Sequence, residues 1–377
     1  MNVPFHKPHI TGKEITEVTK CLTSGWLTMG PKTIEFEKKF KDYIGSEYAL
    51  SVSSCTAALH LALIAVGITE GDEVLLPAFT FAATAEVVCY LKATPVFVDV
   101  EKNTHNINVS EIEKHITPKT KAIIPVHYGG QPCDMDDICR IAKKHGLYVI
   151  EDSAHSLPAW YKNRKIGTIG DITCFSFYAT KTLTCGEGGM VTTNNSAWAK
   201  KIKSLRLHGI SHDMWERYSE GGSWYYEVVH CGFKYNMTDV QAALGTVQLN
   251  KLEWMWEKRK QIAKRYTGAF QTLEELSVPH IKNDRETSWH LYPIKLNTEM
   301  LKINRNEFIT LLKERGVNTS VHFIPLYYHP FYKKAFSLTK NMFPICEWIY
   351  ERILSLPIYP GNKVIGEISN ILEKHKK

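Results

Sequence analysis

The stretch from Phe175 to Gly189, FSFYATKTLTCGEGG, carries a strand-like run into a single lysine, Lys181, and then into a tight cluster of glycines. With the residues before it, this run reads DITCFSF and alternates polar with apolar side chains, as a strand does. Lys181 therefore follows the predicted end of a strand, at the edge where open α/β sheets bind ligands. Gly186 and Gly188 allow the backbone to turn, so that the chain re-enters the sheet as MVTT.

Outward from this stretch, apolar strands alternate with helices through the first 250 residues. EVLLP at Glu73–Pro77 and LYVIED at Leu147–Asp152 are such strands, and neither alternates polar with apolar side chains. Strands of this kind, separated by helices, predict an α/β fold whose central sheet is mostly parallel and covered by helices on both faces.

The composition changes after Gly245, where a long amphipathic helix precedes the order strand, helix, strand, helix. This order predicts a smaller α+β domain at the C-terminal end. We expect a large domain over residues 1–250 and a small domain over residues 251–377. The N-terminal segment, about residues 1–30, is expected to belong to the large domain or to pack on the small one.

Charge, apolar runs and cysteine spacing argue against a nucleic-acid-binding, membrane-spanning or metal-binding protein. The chain has 46 basic and 39 acidic residues, a net charge of +7 that suits an ordinary surface or an anionic small substrate. The apolar run Cys55–Ile68 is too short to span a bilayer, and no signal-peptide pattern begins the chain. The nine cysteines form no CxxC pair, and the histidines lack metal-binding spacing. We therefore expect a cytoplasmic protein without a nucleic-acid, membrane or metal partner.

Three features in different parts of the chain complement one another chemically. Lys181 offers an amine, and Asp152, at the end of LYVIED, offers a carboxylate that can cap a helix or hold a ring nitrogen protonated. The run SSCTAALH places a small-residue turn before a helix, whose first free N–H groups suit a phosphate. Neither a GxxxxGKS/T nor a GxGxxG run is present, which counts against a Walker loop and a nicotinamide enzyme. An aldehyde, a ring nitrogen and a phosphate occur together in pyridoxal 5′-phosphate (PLP).

Several longer motifs point to one family. They include SGWLTMGPKTIEFE, PAFTFAATAEVV, VHYGGQPCDMD, EDSAHS and GFKYNMTDVQAALG. In these motifs, and over nearly its whole length, the chain resembles the nucleotide-sugar aminotransferases of the DegT/StrS type, within the fold type I PLP enzymes. The resemblance implies the fold type I architecture, PLP as the cofactor and transfer of an amino group as the reaction.

The resemblance also implies a catalytic set of three residues. Lys181 matches the Schiff-base lysine, which holds the cofactor and later moves a proton. Asp152 matches the partner of the pyridinium nitrogen. His155 matches a position near the phenolic oxygen of the cofactor.

Four further positions match cofactor contacts in the family. Cys55 and Thr56 match the turn that holds the phosphate, and Ser176 matches a phosphate-binding hydroxyl. Phe81 matches the aromatic side chain that stacks on the cofactor ring. Without the resemblance, the better interpretation of Phe81 is an ordinary core phenylalanine.

One motif departs from the commoner pattern of the family. Many relatives have GYNYR, whose asparagine reaches the cofactor phosphate of the partner subunit, whereas this chain has GFKYN, with Lys234 and Asn236 in the asparagine and arginine positions. The resemblance implies a homodimer whose active sites are shared across the interface. Either Lys234 or Asn236 is then the residue that contacts the partner's cofactor. His322 and His329, together with Lys234, are the predicted substrate contacts.

The segment 206–235 is rich in aromatic side chains, among them Trp215, Tyr218, Trp224, Tyr225 and Tyr226. It is interpreted either as a cluster at the dimer interface or in a loop, or as a lid that holds a nucleotide.

The lysine itself favours one reaction of the family. Relatives that remove a 3-hydroxyl carry a histidine in its place, so Lys181 indicates transamination. The resemblance implies transfer of an amino group, from L-glutamate, to a nucleotide-linked keto-sugar such as a UDP-4-keto-6-deoxy-hexose, for amino sugars of surface glycans such as lipopolysaccharide. The alternatives are a dTDP- or GDP-linked 3- or 4-keto-sugar, a cyclitol, and a non-catalytic PLP-binding regulator.

Overall fold

The computed structural model of the protein describes residues 2–210, 225–359 and 362–377. Its helices are α1 (Gly12–Ser24), α2 (Pro31–Ile44), α3 (Cys55–Ala65), α4 (Ala82–Tyr90), α5 (Val109–Ile112), α6 (Met135–His145), α7 (Ser196–Leu205), α8 (Asp239–Asn250), α9 (Leu252–Phe270), α10 (Arg305–Glu314), α11 (Pro330–Ala335), α12 (Pro344–Tyr350) and α13 (Asn362–His375). Its strands are β1 (Tyr48–Val52), β2 (Glu73–Pro77), β3 (Thr94–Val98), β4 (Thr120–Ile123), β5 (Tyr148–Ser153), β6 (Trp160–Tyr161), β7 (Arg164–Lys165), β8 (Ile172–Ser176), β9 (Gly189–Thr193), β10 (Leu276–Ser277), β11 (Arg285–Glu286), β12 (Tyr292–Leu296) and β13 (Ile353–Leu356). Of the predicted aromatic segment, Trp215, Tyr218 and Trp224 lie outside the described residues.

A seven-stranded sheet forms the centre of the fold, in the order β1-β9-β8-β5-β4-β2-β3. β9 runs antiparallel to both of its neighbours, and the other adjacent strands are parallel. Val74 and Ile150 pack into the core under α3, α4 and α7, whereas the alternate residues Leu75 and Val149 pack into the core under α6. Both faces of the sheet are therefore buried, and the predicted mostly parallel sheet with helices on both faces is confirmed.

A second core lies towards the C-terminal end of the chain. There the antiparallel sheet β10-β12-β13 packs against α9, α10 and α13 through side chains that include Phe270, Ile294 and Phe308. The first turn of α9, with Leu252 and Met255, packs instead into the core around α2 and α8. The domain border at residue 250 stays a prediction; it falls just before α9 begins.

The N-terminal segment contacts both of these regions. Val3 pairs with Val317, which follows α10, and the N–H of Val3 donates to the carbonyl of Gly316 at 2.8 Å. α1 packs along α8, where Glu14 accepts a hydrogen bond from Gln248 at 2.9 Å. The first residues thus lie on the predicted small domain, and α1 lies on the large one.

The sheet topology brings chemically useful residues to one edge. Strands β1, β2, β5 and β8 point in the same direction, so their carboxyl ends meet at the same side of the sheet. Ser54, Thr80, Asp152 and Ser176 lie at or just beyond these ends. Among the described residues, none of the helices combines the length and apolar composition that crossing a membrane requires.

Candidate active site

A cavity of about 510 Å³ lies at the carboxyl ends of β5 and β8. Eight of the eleven predicted site residues line it: Cys55, Thr56, Phe81, Asp152, His155, Ser176, Lys181 and His322. His290 and Phe323, which are not among the predicted site residues, line it as well. A larger groove of about 990 Å³ lies elsewhere, between α1, α2, α8 and α9.

Asp152 is held in place at the end of β5. Its side chain is buried, and its two oxygens accept hydrogen bonds from the Thr84 hydroxyl at 2.9 Å and from the Ala154 N–H at 3.1 Å. Burial raises the pKa of Asp152, while these two hydrogen bonds act in the opposite direction. A cationic group in the cavity would favour the ionised form further, so Asp152 is suited to hold a ring nitrogen protonated.

Lys181 lies in the turn after β8, where its N–H donates to the carbonyl of Tyr178 at 2.9 Å. Burial lowers the pKa of Lys181 from 10.5 to about 8, although Cys55 and Asp152 act in the opposite direction. At pH 7.4 a pKa of 8 leaves about one-fifth of the amines neutral, against about one in a thousand for an ordinary lysine. The side chain can therefore react as a nucleophile with an aldehyde.

The beginning of α3 presents free N–H groups to the cavity. The Ser54 hydroxyl accepts a hydrogen bond from the Ala57 N–H at 3.0 Å, and the Ser54 carbonyl accepts one from the Ala58 N–H at 3.0 Å. The N–H groups of Cys55 and Thr56 precede these bonds and have no acceptor within the helix. Together with the helix dipole, they favour binding of a phosphate.

Gly189 allows β9 to pass close to this helix start. A Cβ atom at Gly189 would lie 2.6 Å from the carbonyl group of Ser54 and 2.8 Å from the Cys55 nitrogen, which is too close for any side chain. Ser176 pairs with Gly189 and also lines the cavity. These groups fit the phosphate of PLP, as Lys181 fits its aldehyde and the buried carboxylate fits its ring nitrogen.

Aromatic side chains form another wall of the cavity. Phe81 is 61 % exposed, which excludes the alternative of a core phenylalanine and leaves its ring accessible for stacking. Its ring centroid lies 6.0 Å from that of Phe323. Phe323 in turn stacks on His155 at 5.6 Å, and His155 lies 4.4 Å from the ring of His290.

Three histidines line the same cavity as Lys181, and their imidazole rings are neutral. They are His155, His290 and His322. Burial lowers the pKa of each, and the charge of Lys181 acts in the same direction; for His322 the pKa falls to about 4. The Gly129 N–H donates to Nδ1 of His155 at 3.3 Å, which leaves the ring proton on Nε2. Within the described residues, no group of three or more His, Cys, Asp or Glu side chains is placed to hold a metal ion.

Lys234, Asn236 and His329 lie outside the lining of this cavity. Lys234 is exposed and pairs with Leu207 in an isolated bridge. Asn236 is buried and donates from Nδ2 to the carbonyl of Met237 at 3.2 Å, while its Oδ1 has no partner in the described chain. Because Lys234 and Asn236 are predicted to reach a partner subunit, a single chain does not test their roles. These roles, and that of His329 in substrate binding, stay predictions.

Some residues of the site carry little or no sequence signal. Thr84 follows Thr80 by one helical turn, and their hydroxyls lie 2.8 Å apart, so the spacing of two threonines is a weak local indication. His290 and Phe323 belong to loops beside the small sheet, and their place in the cavity depends on long-range packing.

A model of the DegT/DnrJ/EryC1/StrS aminotransferase family matches residues 8–372. The chain belongs to this family. It is 58 % identical to the uncharacterised protein MJ1066 of Methanocaldococcus jannaschii over 95 % of this chain and 93 % of that protein. It is 50 % identical to the spore coat polysaccharide biosynthesis protein SpsC of Bacillus subtilis over 95 % of this chain and 92 % of that protein.

Among solved structures, Spr1654 of Streptococcus pneumoniae, which is assigned as a sugar aminotransferase, has a TM-score of 0.92 and 34 % identity in its PMP form. The superposition covers 99 % of this chain and 100 % of that chain. The same protein is also solved in its PLP form, with the same TM-score. The predictions of the DegT/StrS family, of the fold type I architecture, of PLP as cofactor and of a sugar aminotransferase are confirmed.

Proposed function

We propose that the protein transfers an amino group from L-glutamate to a nucleotide-linked keto-sugar, a UDP-4-keto-6-deoxy-hexose, for an amino sugar of a surface glycan. The observation that carries the proposal is the position of Lys181 beside Asp152 in the cavity of an aminotransferase-family chain. A lysine at this position supports transfer of nitrogen over loss of a hydroxyl group. The name of the Bacillus subtilis relative, for spore coat polysaccharide biosynthesis, supports a surface glycan as the destination.

The side chains divide the chemistry between them. PLP supplies an aldehyde that carries the amino group and a ring that accepts electrons. Asp152 would keep the ring nitrogen protonated, and the start of α3 and Ser176 would hold the phosphate. Lys181, as a neutral amine, takes a proton from the α-carbon of the donor and later delivers one to the sugar carbon that gains nitrogen. Delivery from one side by a fixed lysine determines the configuration of the new amine.

The test is amino transfer by the PLP-loaded enzyme with L-glutamate and a panel of acceptors. The panel contains UDP-, dTDP- and GDP-linked keto-sugars and a keto-inositol, and mass spectrometry detects the gain of an amino group. We expect turnover with the UDP-4-keto-6-deoxy-hexose, loss of turnover in Lys181→Ala, and full turnover in the control Lys200→Ala, which changes an exposed lysine on α7. Turnover confined to another acceptor would contradict the substrate, and cofactor binding without any turnover would favour a regulator.

We also propose a homodimer in which Lys234 or Asn236 completes the partner's site. Asn236 supports this proposal because its Oδ1 is buried without a partner in the described chain. Co-expression of Lys181→Ala with Lys234→Ala tests it, because a mixed dimer then contains one intact site in two. Random pairing restores about a quarter of the wild-type activity if Lys234 acts across the interface. The same experiment with Asn236→Ala tests the other residue, and no recovery in either pair would contradict sharing.

A further inference from the structure

Two hydrogen-bonded side chains lie buried on the far face of the central sheet from the cavity. Glu151 and Asp152 are neighbours on β5, so their side chains point to opposite faces of the sheet. Asp152 lines the cavity, whereas Glu151 lies on the other face and meets Nε2 of His127 at 2.9 Å. The side chains of His127 and Glu151 have no exposed surface, and we call these two residues the buried pair.

The hydrogen bonds of the buried pair determine which ring nitrogen of His127 carries the proton. The Cys133 N–H donates to Nδ1 of His127 at 3.1 Å, so the imidazole carries its proton on Nε2 and donates it to Glu151. The other oxygen of Glu151 accepts hydrogen bonds from the Gly170 N–H at 2.8 Å and from the Thr173 hydroxyl at 2.7 Å. Every polar atom of the two side chains therefore has a partner, which holds the imidazole in one position.

His127 begins the loop that reaches the cavity. Its N–H donates to the carbonyl of Asp152 at 3.2 Å, and its carbonyl accepts a hydrogen bond from the Gly130 N–H at 3.1 Å. Between these two bonds the chain turns, and the Gly129 N–H donates to Nδ1 of His155 at 3.3 Å. Gly130 has a φ of 105°, and a Cβ atom there would lie 2.9 Å from the carbonyl oxygen of His155. The loop is therefore packed directly against this histidine.

We propose that the buried pair positions His155 for the cofactor, acting through the loop from His127 to Gly130. The buried pair fixes the place where this loop begins, and the Gly129 N–H then keeps the proton of His155 on Nε2, where it is available to a group in the cavity. Neither His127 nor Glu151 lines the cavity, so both are positioning residues. The inference goes beyond the proposed function, because it does not depend on which donor or acceptor the enzyme uses.

Two substitutions of His127 separate its hydrogen bonds from its bulk. His127→Gln introduces an amide that can donate to Glu151 and accept from the Cys133 N–H, whereas His127→Leu fills similar space and can do neither. Nitrogen NMR spectra of the apoenzyme, assigned with His155→Gln, show which ring nitrogen of His155 carries the proton. We expect the Nε2–H form alone in the wild type and in His127→Gln, and a mixture of both tautomers in His127→Leu. In titrations of the apoenzyme with PLP, affinity should fall about 3- to 10-fold in His127→Leu and less than about twofold in His127→Gln.

Glu151→Gln tests the other member of the buried pair and replaces His127→Leu if that variant fails to fold. Its amide has one oxygen where the carboxylate has two, so an oxygen that keeps Gly170 and Thr173 leaves an N–H group facing Nε2–H of His127. We therefore expect the same tautomer mixture and the same weaker PLP binding as in His127→Leu.

Two results would overturn the proposal. One is a wild-type tautomer of His155 and a wild-type PLP affinity in both His127→Leu and Glu151→Gln, which would leave the buried pair with a role in stability alone. The other is an equal loss in His127→Gln and His127→Leu, because the two hydrogen bonds of the imidazole would then not be what places the loop. Neither measurement uses an amino donor or a sugar, so a failure of the proposed function would leave both results unchanged.

Discussion

The lowered pKa of Lys181 gives the apoenzyme a measurable pH dependence. Burial lowers this pKa from 10.5 to about 8, so the amine loses its proton at a lower pH than other lysines do. Between pH 6 and pH 9 the neutral fraction of Lys181 should rise from about 1 % to about 90 %. Over the same range, a free lysine side chain with a pKa of about 10.4 stays below about 5 % neutral.

Competitive acetylation measures these fractions without the cofactor. The apoenzyme is treated with trace acetic anhydride at a series of pH values, and mass spectrometry of its peptides gives the reactivity of each lysine. We expect a midpoint near pH 8 for Lys181, against a midpoint above pH 10 for a free lysine in a short peptide. In Asp152→Asn the midpoint of Lys181 should move to lower pH, because the charge of Asp152 raises this pKa in the wild type.

Two results would refute this reasoning. A Lys181 midpoint at or above pH 10 would show that burial in the cavity does not penalise the ammonium group. A midpoint that rises in Asp152→Asn would show that the carboxylate does not favour the charged lysine. The rate at which PLP attaches to the apoenzyme provides an independent measurement, which should follow the same midpoint as acetylation.

Three other changes test other parts of the site. Asp152→Asn should lower the rate of amino transfer at least about 100-fold with an unchanged melting temperature, because a neutral amide cannot hold the ring nitrogen charged; near-normal steady-state rates would contradict this role. Gly189→Ala should weaken PLP binding and destabilise the enzyme by about 1–3 kcal/mol, since its Cβ would meet Ser54, whereas Gly268→Ala, with no heavy atom within 4 Å, should leave the cofactor titration and thermal unfolding unchanged. Thr84→Val removes a hydrogen bond that lowers the pKa of Asp152, so the acidic limb of the pH–rate profile should move to higher pH.

The fold could be predicted where local pattern and topology agree. Continuous apolar strands between helices are sufficient to predict the parallel part of the sheet, because such strands must be buried on both faces. The direction of β9 carries no comparable signal, since a strand that re-enters after a tight glycine turn can pair in either direction. Two-residue strands such as β6 and β10 are too short to show any periodicity.

The site could be predicted where a single topological rule places its residues. Asp152 and Ser176 end neighbouring parallel strands, so their proximity follows from the sheet. His290 and Phe323 come from loops outside the large sheet, and their place in the cavity depends on how these loops pack against it. No spacing within the sequence encodes that packing.

The residues that line the cavity therefore fall into two groups, one placed by the pairing of the sheet strands and one placed by elements outside the sheet. The ends of the sheet strands and the start of α3 supply the groups suited to the cofactor, and these groups are fixed by backbone pairing. The elements outside the sheet supply His290 and Phe323, whose rings contact that of His155. Changes in those elements can therefore alter the choice of donor or acceptor while the cofactor groups stay in place. His155 follows β5, which carries Asp152, and its ring contacts His290 and Phe323. Substitutions around His155 should therefore affect both cofactor chemistry and substrate choice.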